Sequence, residues 1–225
     1  MSRNFYRVAA VSPSLNVADC DYNTDIIIDL IAELRDRGVE MAVFPELCIT
    51  GYTCADLFHN DTLLEASRNS LERIVKSTEG NPMLVWVGAP LNRECSLYNC
   101  AVAIASGHVL AVVPKCYIPT YNEFYEKRWW ASGIGTSGEI DLGAKLGMVP
   151  FGPHTLIKTP SGTTISAEIC EDLWSTIPPS SQASLHGAQI IVNLSASDDL
   201  TGKYEYLVSL IKSQSARCLG AYIYT

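Results

Sequence analysis

The chain has 225 residues, 48% apolar and 18% charged, with 16 Lys and Arg against 24 Asp and Glu and a formal net charge of −8. That balance belongs to a folded chain with a sizeable core, and an acidic chain without a basic run is not built to hold a phosphate backbone, so no nucleic-acid partner is expected. No apolar stretch approaches the roughly 20 residues that span a bilayer, and "MSRNFYRVAAVSPSLNV" has no apolar segment leading to a small-residue cleavage site, so no membrane association and a cytoplasmic location are expected.

In chain order, "YRVAAVS" (6–12) reads as a strand, and residues 22–38 carry Ile27, Leu30, Ile31 and Leu34 at helical spacing before stopping at Gly38. Residues 39–46 form an apolar strand ending in Pro-Glu, and 62–77 a second amphipathic helix with Leu64, Leu71, Ile74 and Val75 on one stripe. Three strand-like runs follow at 83–90, 97–105 and 108–115, the last two joined by a Ser-Gly turn. Residues 129–153 are rich in glycine without a clear period and read as a long loop or arm. Strands resume at 154–159 and 162–170, followed by a short polar segment, a strand at 188–195, a helix from about Lys203 to Arg217 and a last strand, "GAYIYT".

Helices between apolar strands imply sheets covered by helices. The hairpins at 97–115 and 154–170 interrupt βαβ alternation, which favours two stacked mixed sheets with helices outside over one doubly wound sheet. No repeat or linker divides residues 1–225, so a single domain is expected. Its final strand ends with the sequence, which suggests that the domain is C-terminally shortened. The eight cysteines, at positions 20, 48, 54, 95, 100, 116, 170 and 218, never fall in C-x-x-C spacing, and the four histidines are not paired at ligand spacing. No metal site is expected, and reduced thiols are.

Three strand ends finish in a polar residue that burial does not explain: Glu46 in "VFPE", Lys115 in "VVPK" and Cys170 in "AEIC". Each alone also reads as an ordinary solvated end or a small buried side chain. Brought together, Lys115 would lower the thiol pKa and Glu46 would take its proton, offsetting the acidic neighbours Glu168, Glu171 and Asp172. Strand alternation puts Glu168 and Cys170 on one face. The Glu171 amide, where the chain leaves the strand, could face a developing oxyanion.

Taken together, "VFPELCITGY", "VVPKCYIPTYNEFYEKRWWASG" and "SAEICEDLW" resemble the Glu, Lys and Cys motifs of the nitrilase, or carbon–nitrogen hydrolase, superfamily, in that order. "PELCITGYTCADLF", "KCYIPTYNEFYEKRWW" and "CEDLW" are most similar to the glutaminase domains that serve NAD synthetases. The resemblance covers essentially the whole chain. It implies a four-layer α-β-β-α sandwich of α/β class, a homo-oligomer, and hydrolysis of the glutamine side-chain amide through a Cys thioester. It implies Cys170 as nucleophile, Glu46 as general base, Lys115 as oxyanion partner and Glu126 as an additional glutamate beside the lysine. Tyr52 then walls the site, while Tyr121, Phe124, Glu171, Trp174, Ser197 and Lys203 match pocket positions. Within them Glu171 would meet the substrate ammonium and Lys203 its carboxylate. The glutaminase half is expected to need no cofactor. ATP and magnesium belong to the ammonia-accepting synthetase domain, whose Ser-Gly-Gly-x-Asp-Ser loop does not occur in these residues. A free-standing amidase acting on another small amide, and a non-catalytic assembly module, are the alternatives.

Overall fold

The computed structural model describes residues 5–225; the reading of the N-terminus over residues 1–4 lies outside the described residues. Two mixed sheets form. The first has seven strands: β1 (Val8–Ala10), β2 (Met41–Val43), β3 (Leu84–Arg93), β4 (Ser96–Ala105), β5 (His108–Pro114), β6 (Gly138–Asp141) and β7 (Met148–Phe151), in the order β1-β2-β3-β4-β5-β7-β6. The second has four, β8 (Leu156–Lys158), β9 (Thr164–Ile169), β10 (Ile190–Leu194) and β11 (Ala221–Tyr224), in the order β11-β10-β9-β8. Parallel pairs β1–β2–β3 and β9–β10–β11 sit beside antiparallel hairpins β3–β4–β5 and β8–β9.

The sheets stack through an apolar layer in which Met41, Val43 and Trp86 of the first meet Ile165, Ala167 and Val192 of the second. Alternation along β9 creates that layer: Ile165, Ala167 and Ile169 point inward, while Ser166 and Glu168 point to the other face. On the outside of the first sheet lie α1 (Cys20–Asp36) and α2 (Asp61–Ser77). Asp19 caps α1 by accepting from the Tyr22 amide at 3.1 Å, and Asn60 caps α2 by accepting from Thr62 at 2.8 Å. Ile27 and Ile31 of α1 and Leu71 and Ile74 of α2 bury their stripes against β3 and β4 residues such as Val85 and Val102. The second sheet is covered by α3 (Pro179–Leu185) and α4 (Lys203–Cys218), completing four layers.

Two segments depart from the sequence reading. Within 129–153 the chain is not a free arm: β6 and β7 form a hairpin, and β7 joins the edge of β5 through the pairing Val112–Phe151. Ile140, Val149 and Phe151 are buried on one face, but four-residue strands offer too few alternations to stand out among glycines. The polar segment after Trp174 contains α3, which opens at a proline in its first turn and buries Ser180 and Ala183. Among the described residues, no helix is long and apolar enough to cross a membrane.

Candidate active site

The ends of β2, β5, β9 and β10 converge at one end of the sandwich. After Val43 the chain leaves β2 and turns through Pro45, Glu46 and Leu47, the last with φ +50°. Glu46 therefore sits in a turn rather than on the strand. That turn rests on Gly88 of β3, where an added Cβ would lie 2.2 Å from the Leu47 nitrogen and 2.7 Å from the Pro45 oxygen. Only glycine permits the approach. The buried Glu46 carboxylate accepts from Lys115 Nζ and Asn99 Nδ2, each at 2.7 Å, on Oε1, and from the Ala196 amide at 3.0 Å on Oε2. Three of its four lone-pair sites are occupied, and the free one is on Oε2.

Lys115 follows Pro114 at the end of β5. Its amide donates to the Asn99 carbonyl and its carbonyl accepts from Gly133, both at 2.8 Å. Its wholly buried ammonium donates to Glu46 Oε1 at 2.7 Å and to both oxygens of Glu126 at 2.9 Å. Glu126 opens a single 3-10 turn, Glu126–Arg128, and also accepts from the Tyr52 hydroxyl at 2.7 Å. Two carboxylates around one ammonium leave a negative charge in a dry site. Burial accordingly pushes Glu126 above its ordinary range, with Glu46 adding to the effect and Lys115 opposing it. For Lys115, burial favours the neutral amine, but the carboxylates of Glu46 and Glu126 outweigh it and hold the ammonium charged. Tyr52 is raised by its burial and by Glu126.

Cys170 comes directly after β9, at φ +44°, a left-handed conformation that an L side chain adopts only when its surroundings impose it. The constraint includes its own amide, which donates to Asn193 Oδ1 at 3.0 Å. The positive φ also ends strand alternation, so Cys170 joins Ile169 and the inner layer and does not share a face with Glu168. Glu168 points outward, accepting from the Ser180 amide at 2.7 Å and from the Tyr222 hydroxyl. The expectation of a depressed thiol pKa is also corrected. Burial and the nearby Glu46 push Cys170 up to about 12, against the opposing pull of Lys115 and the Ser195 hydroxyl. Burial thus favours the neutral thiol over the thiolate. Asp172, fully buried, is pushed up to about 8 by burial, against the backbone N–H bond it accepts from Ile169.

Five of the seven predicted pocket residues divide between two cavities. One, of 370 Å³, is lined by Tyr52, Phe124, Glu126, Ala196 and Ser197 and reaches the glutamate–lysine network through Glu126; Glu46, Lys115 and Cys170 do not line it. The other, of 710 Å³, includes Tyr121 and Glu171, which are joined by hydrogen bonds of 2.9 and 3.0 Å. Tyr121 packs edge-on against Phe124, with ring centroids 5.8 Å apart, so one aromatic pair adjoins both cavities. Trp174 and Lys203 line neither. Trp174 stacks on Tyr206, and Lys203 lies over the Trp174 ring while donating to Asp198 and, at 3.0 Å, to Ser197. Lys203 is therefore already paired, not a free partner for a substrate carboxylate. Among the described residues, no cluster of three His, Cys, Asp or Glu side chains is arranged to hold a metal ion.

A family model for carbon-nitrogen hydrolases matches residues 7–224. The chain belongs to the carbon–nitrogen hydrolase family. This carbon–nitrogen hydrolase is 42% identical to the glutamine-dependent NAD(+) synthetase of Mycobacterium leprae over 99% of its own length and 33% of the relative's. Against the Saccharomyces cerevisiae glutamine-dependent NAD(+) synthetase it is 29% identical, over 92% of the chain and 30% of the relative. It thus spans about a third of the length of these relatives. Among solved structures, a glutamine-dependent NAD(+) synthetase from Cytophaga hutchinsonii superposes with a TM-score of 0.86 at 28% identity, covering 97% of this chain and 35% of the other. An amidase from Nesterenkonia sp. AN1 gives 0.76 at 17% identity, covering 98% and 78%, and shares the fold.

Several groups that hold the site together escaped the sequence reading. Asn99 and Ala196 hold Glu46, Asn193 holds the Cys170 amide, and Ser195 lies beside the sulfur with its hydroxyl 2.7 Å from that of Tyr224. A signal was present for the asparagines: each interrupts an apolar strand, "LYNCAVAIA" and "AQIIVNLS", at a position where burial without a partner would be costly.

Proposed function

We propose that this carbon–nitrogen hydrolase hydrolyses the side-chain amide of glutamine to glutamate and ammonia through a thioester on Cys170. One observation carries the reading: a fully buried ammonium, Lys115, bridges Glu46 and Glu126 beside a cysteine held at positive φ. In this mechanism the free lone pair on Glu46 Oε2 takes the thiol proton as sulfur attacks the carboxamide carbon. With burial favouring the neutral thiol, deprotonation accompanies attack. The carbonyl oxygen becomes an oxyanion and draws one of the two Lys115 N–H bonds from Glu126, where the other suffices to hold the lysine. The Glu171 amide is the second donor. Protonated Glu46 returns its proton to the amide nitrogen, ammonia leaves, and the thioester remains. Glu46 then takes a proton from water, hydroxide adds to the acyl carbon, and the sulfur departs with that proton.

Glu171, held by Tyr121, is assigned to the substrate ammonium, with Tyr52, Phe124 and Ser197 as pocket walls and Trp174 behind them, stacked on Tyr206. Lys203 acts through Ser197 and Asp198. The reaction needs no cofactor in this account. ATP and magnesium serve a synthetase domain that takes up the ammonia for NAD synthesis. Exposed Leu200, Tyr204 and Tyr206, on and before α4, supply a face for a homo-oligomer, and the eight unpaired cysteines fit a reducing cytoplasm.

Ammonia release from glutamine, asparagine and simple aliphatic amides tests the proposal. Cys170→Ala is expected to abolish release from glutamine while the circular dichroism spectrum is unchanged. Preference for aliphatic amides would replace glutaminase by a free-standing amidase, and undiminished turnover in the variant would remove Cys170 from the chemistry.

A further inference from the structure

The acidic run after the cysteine contains two carboxylates, and the mechanism uses only Glu171. Asp172 is fully buried and contributes nothing to the pocket. Its Oδ1 accepts from the amides of Cys116 at 3.0 Å and Tyr117 at 2.8 Å, and its Oδ2 from the amide of Ile169 at 2.9 Å. Those donors belong to two segments. Cys116 and Tyr117 immediately follow Lys115, and Ile169 immediately precedes Cys170. The segments come from different sheets, since β5 lies in the seven-stranded sheet and β9 in the four-stranded one.

We propose that Asp172 is a positioning residue whose carboxylate clamps the lysine segment to the cysteine segment and so sets the spacing between the Lys115 ammonium and the Cys170 sulfur. This rests on the glutaminase reading for its chemistry. Three amides, from both sides, point at one carboxyl group whose two oxygens supply an acceptor for each of them. The same bond to Ile169 braces the backbone directly before the left-handed Cys170. A change of about 1 Å in such spacing costs roughly 10²-fold in rate without altering what the pocket binds.

Asp172→Asn keeps the shape of the side chain but turns one oxygen into an N–H group that must face a backbone N–H. Expected for folded protein at saturating glutamine is a kcat lower by about 10²-fold with KM unchanged. Wild-type kcat per folded molecule, with only a lower melting temperature, would overturn the clamp. If the Asn variant does not fold, Asp172→Ser, which retains a hydroxyl acceptor, takes its place; failure of both to fold makes Asp172 a folding residue and overturns the proposal. The glutaminase reading is judged separately, on the wild type alone. Should wild type release no ammonia, the rate at which iodoacetamide modifies Cys170, followed by peptide mass, still reads the clamp. A rate that differs between wild type and Asp172→Asn supports it, and equal rates overturn it.

Discussion

Glu126 is the residue at which the buried charge of the site is most finely set. It shares the Lys115 ammonium with Glu46, and burial and that second carboxylate raise its pKa, while Lys115 and the Tyr52 hydroxyl hold it down. Protonated Glu126 would offer Lys115 a weaker acceptor and release its grip on the ammonium, so activity is present above the Glu126 pKa and declines as pH falls through it. Tyr52→Phe removes a donor that favours the carboxylate form, and the Glu126 pKa rises further. The acidic limb of kcat/KM is therefore expected to move to higher pH in Tyr52→Phe, whatever the height of its plateau. A limb that stays in place, or shifts to lower pH, would show that Glu126 is not the group titrating there.

The turn that carries Glu46 depends on a close approach between two elements. Gly88 lies in the middle of β3, where glycine otherwise weakens a strand, and its hydrogen atoms are all that separates β3 from the Pro45–Leu47 backbone. Because the clash in Gly88→Ala is with backbone atoms, the turn must move bodily and take Glu46 away from Lys115 and Asn99. Gly88→Ala is expected to lower the proposed glutaminase activity by at least about 10²-fold and to lower the melting temperature, both measured on purified protein. Full activity would mean that the base does not need this turn. Much of the layered fold was legible because its strands and helices carry long apolar patterns: the stripe of α1 and the runs of β3, β4 and β9 each signal one element. The β6–β7 hairpin and α3 were not, since their buried positions are two or three residues among glycines, prolines and serines. The candidate site side chains stood out as unexplained polar residues at or just beyond strand ends. Their orienting partners, such as Asn193 and Asp172, act through backbone amides from distant segments, and only the pairing of strands reveals which amides those are.

Across the whole molecule, the candidate site exists only because two sheets are held in one register. Glu46, Lys115 and Asn99 come from the seven-stranded sheet, while Cys170, Asn193 and the Ala196 amide come from the four-stranded one. The apolar layer between them is thus part of the geometry of the candidate site, and its two ends are not equivalent. Leu194 pairs with Ile169 at the site end, directly before Ser195 and Ala196, whereas Ile165 pairs with Ile190 at the other end of the same strands. Both side chains are fully buried in the layer. Truncating either to alanine leaves a comparable cavity and should cost about 2–5 kcal/mol of stability, read from denaturant midpoints. Their effects on turnover should differ. Leu194→Ala lets the end of β10 settle toward the cavity and shifts the Ala196 amide off Glu46, so kcat of the folded variant should fall by roughly 10-fold or more. Ile165→Ala relaxes the layer far from the reacting groups and should leave kcat of the folded fraction close to wild type. Equal losses of kcat in the two variants, at a temperature where both are folded, would mean that the sheets shift as rigid plates and that distance from the site along β9 and β10 offers no protection.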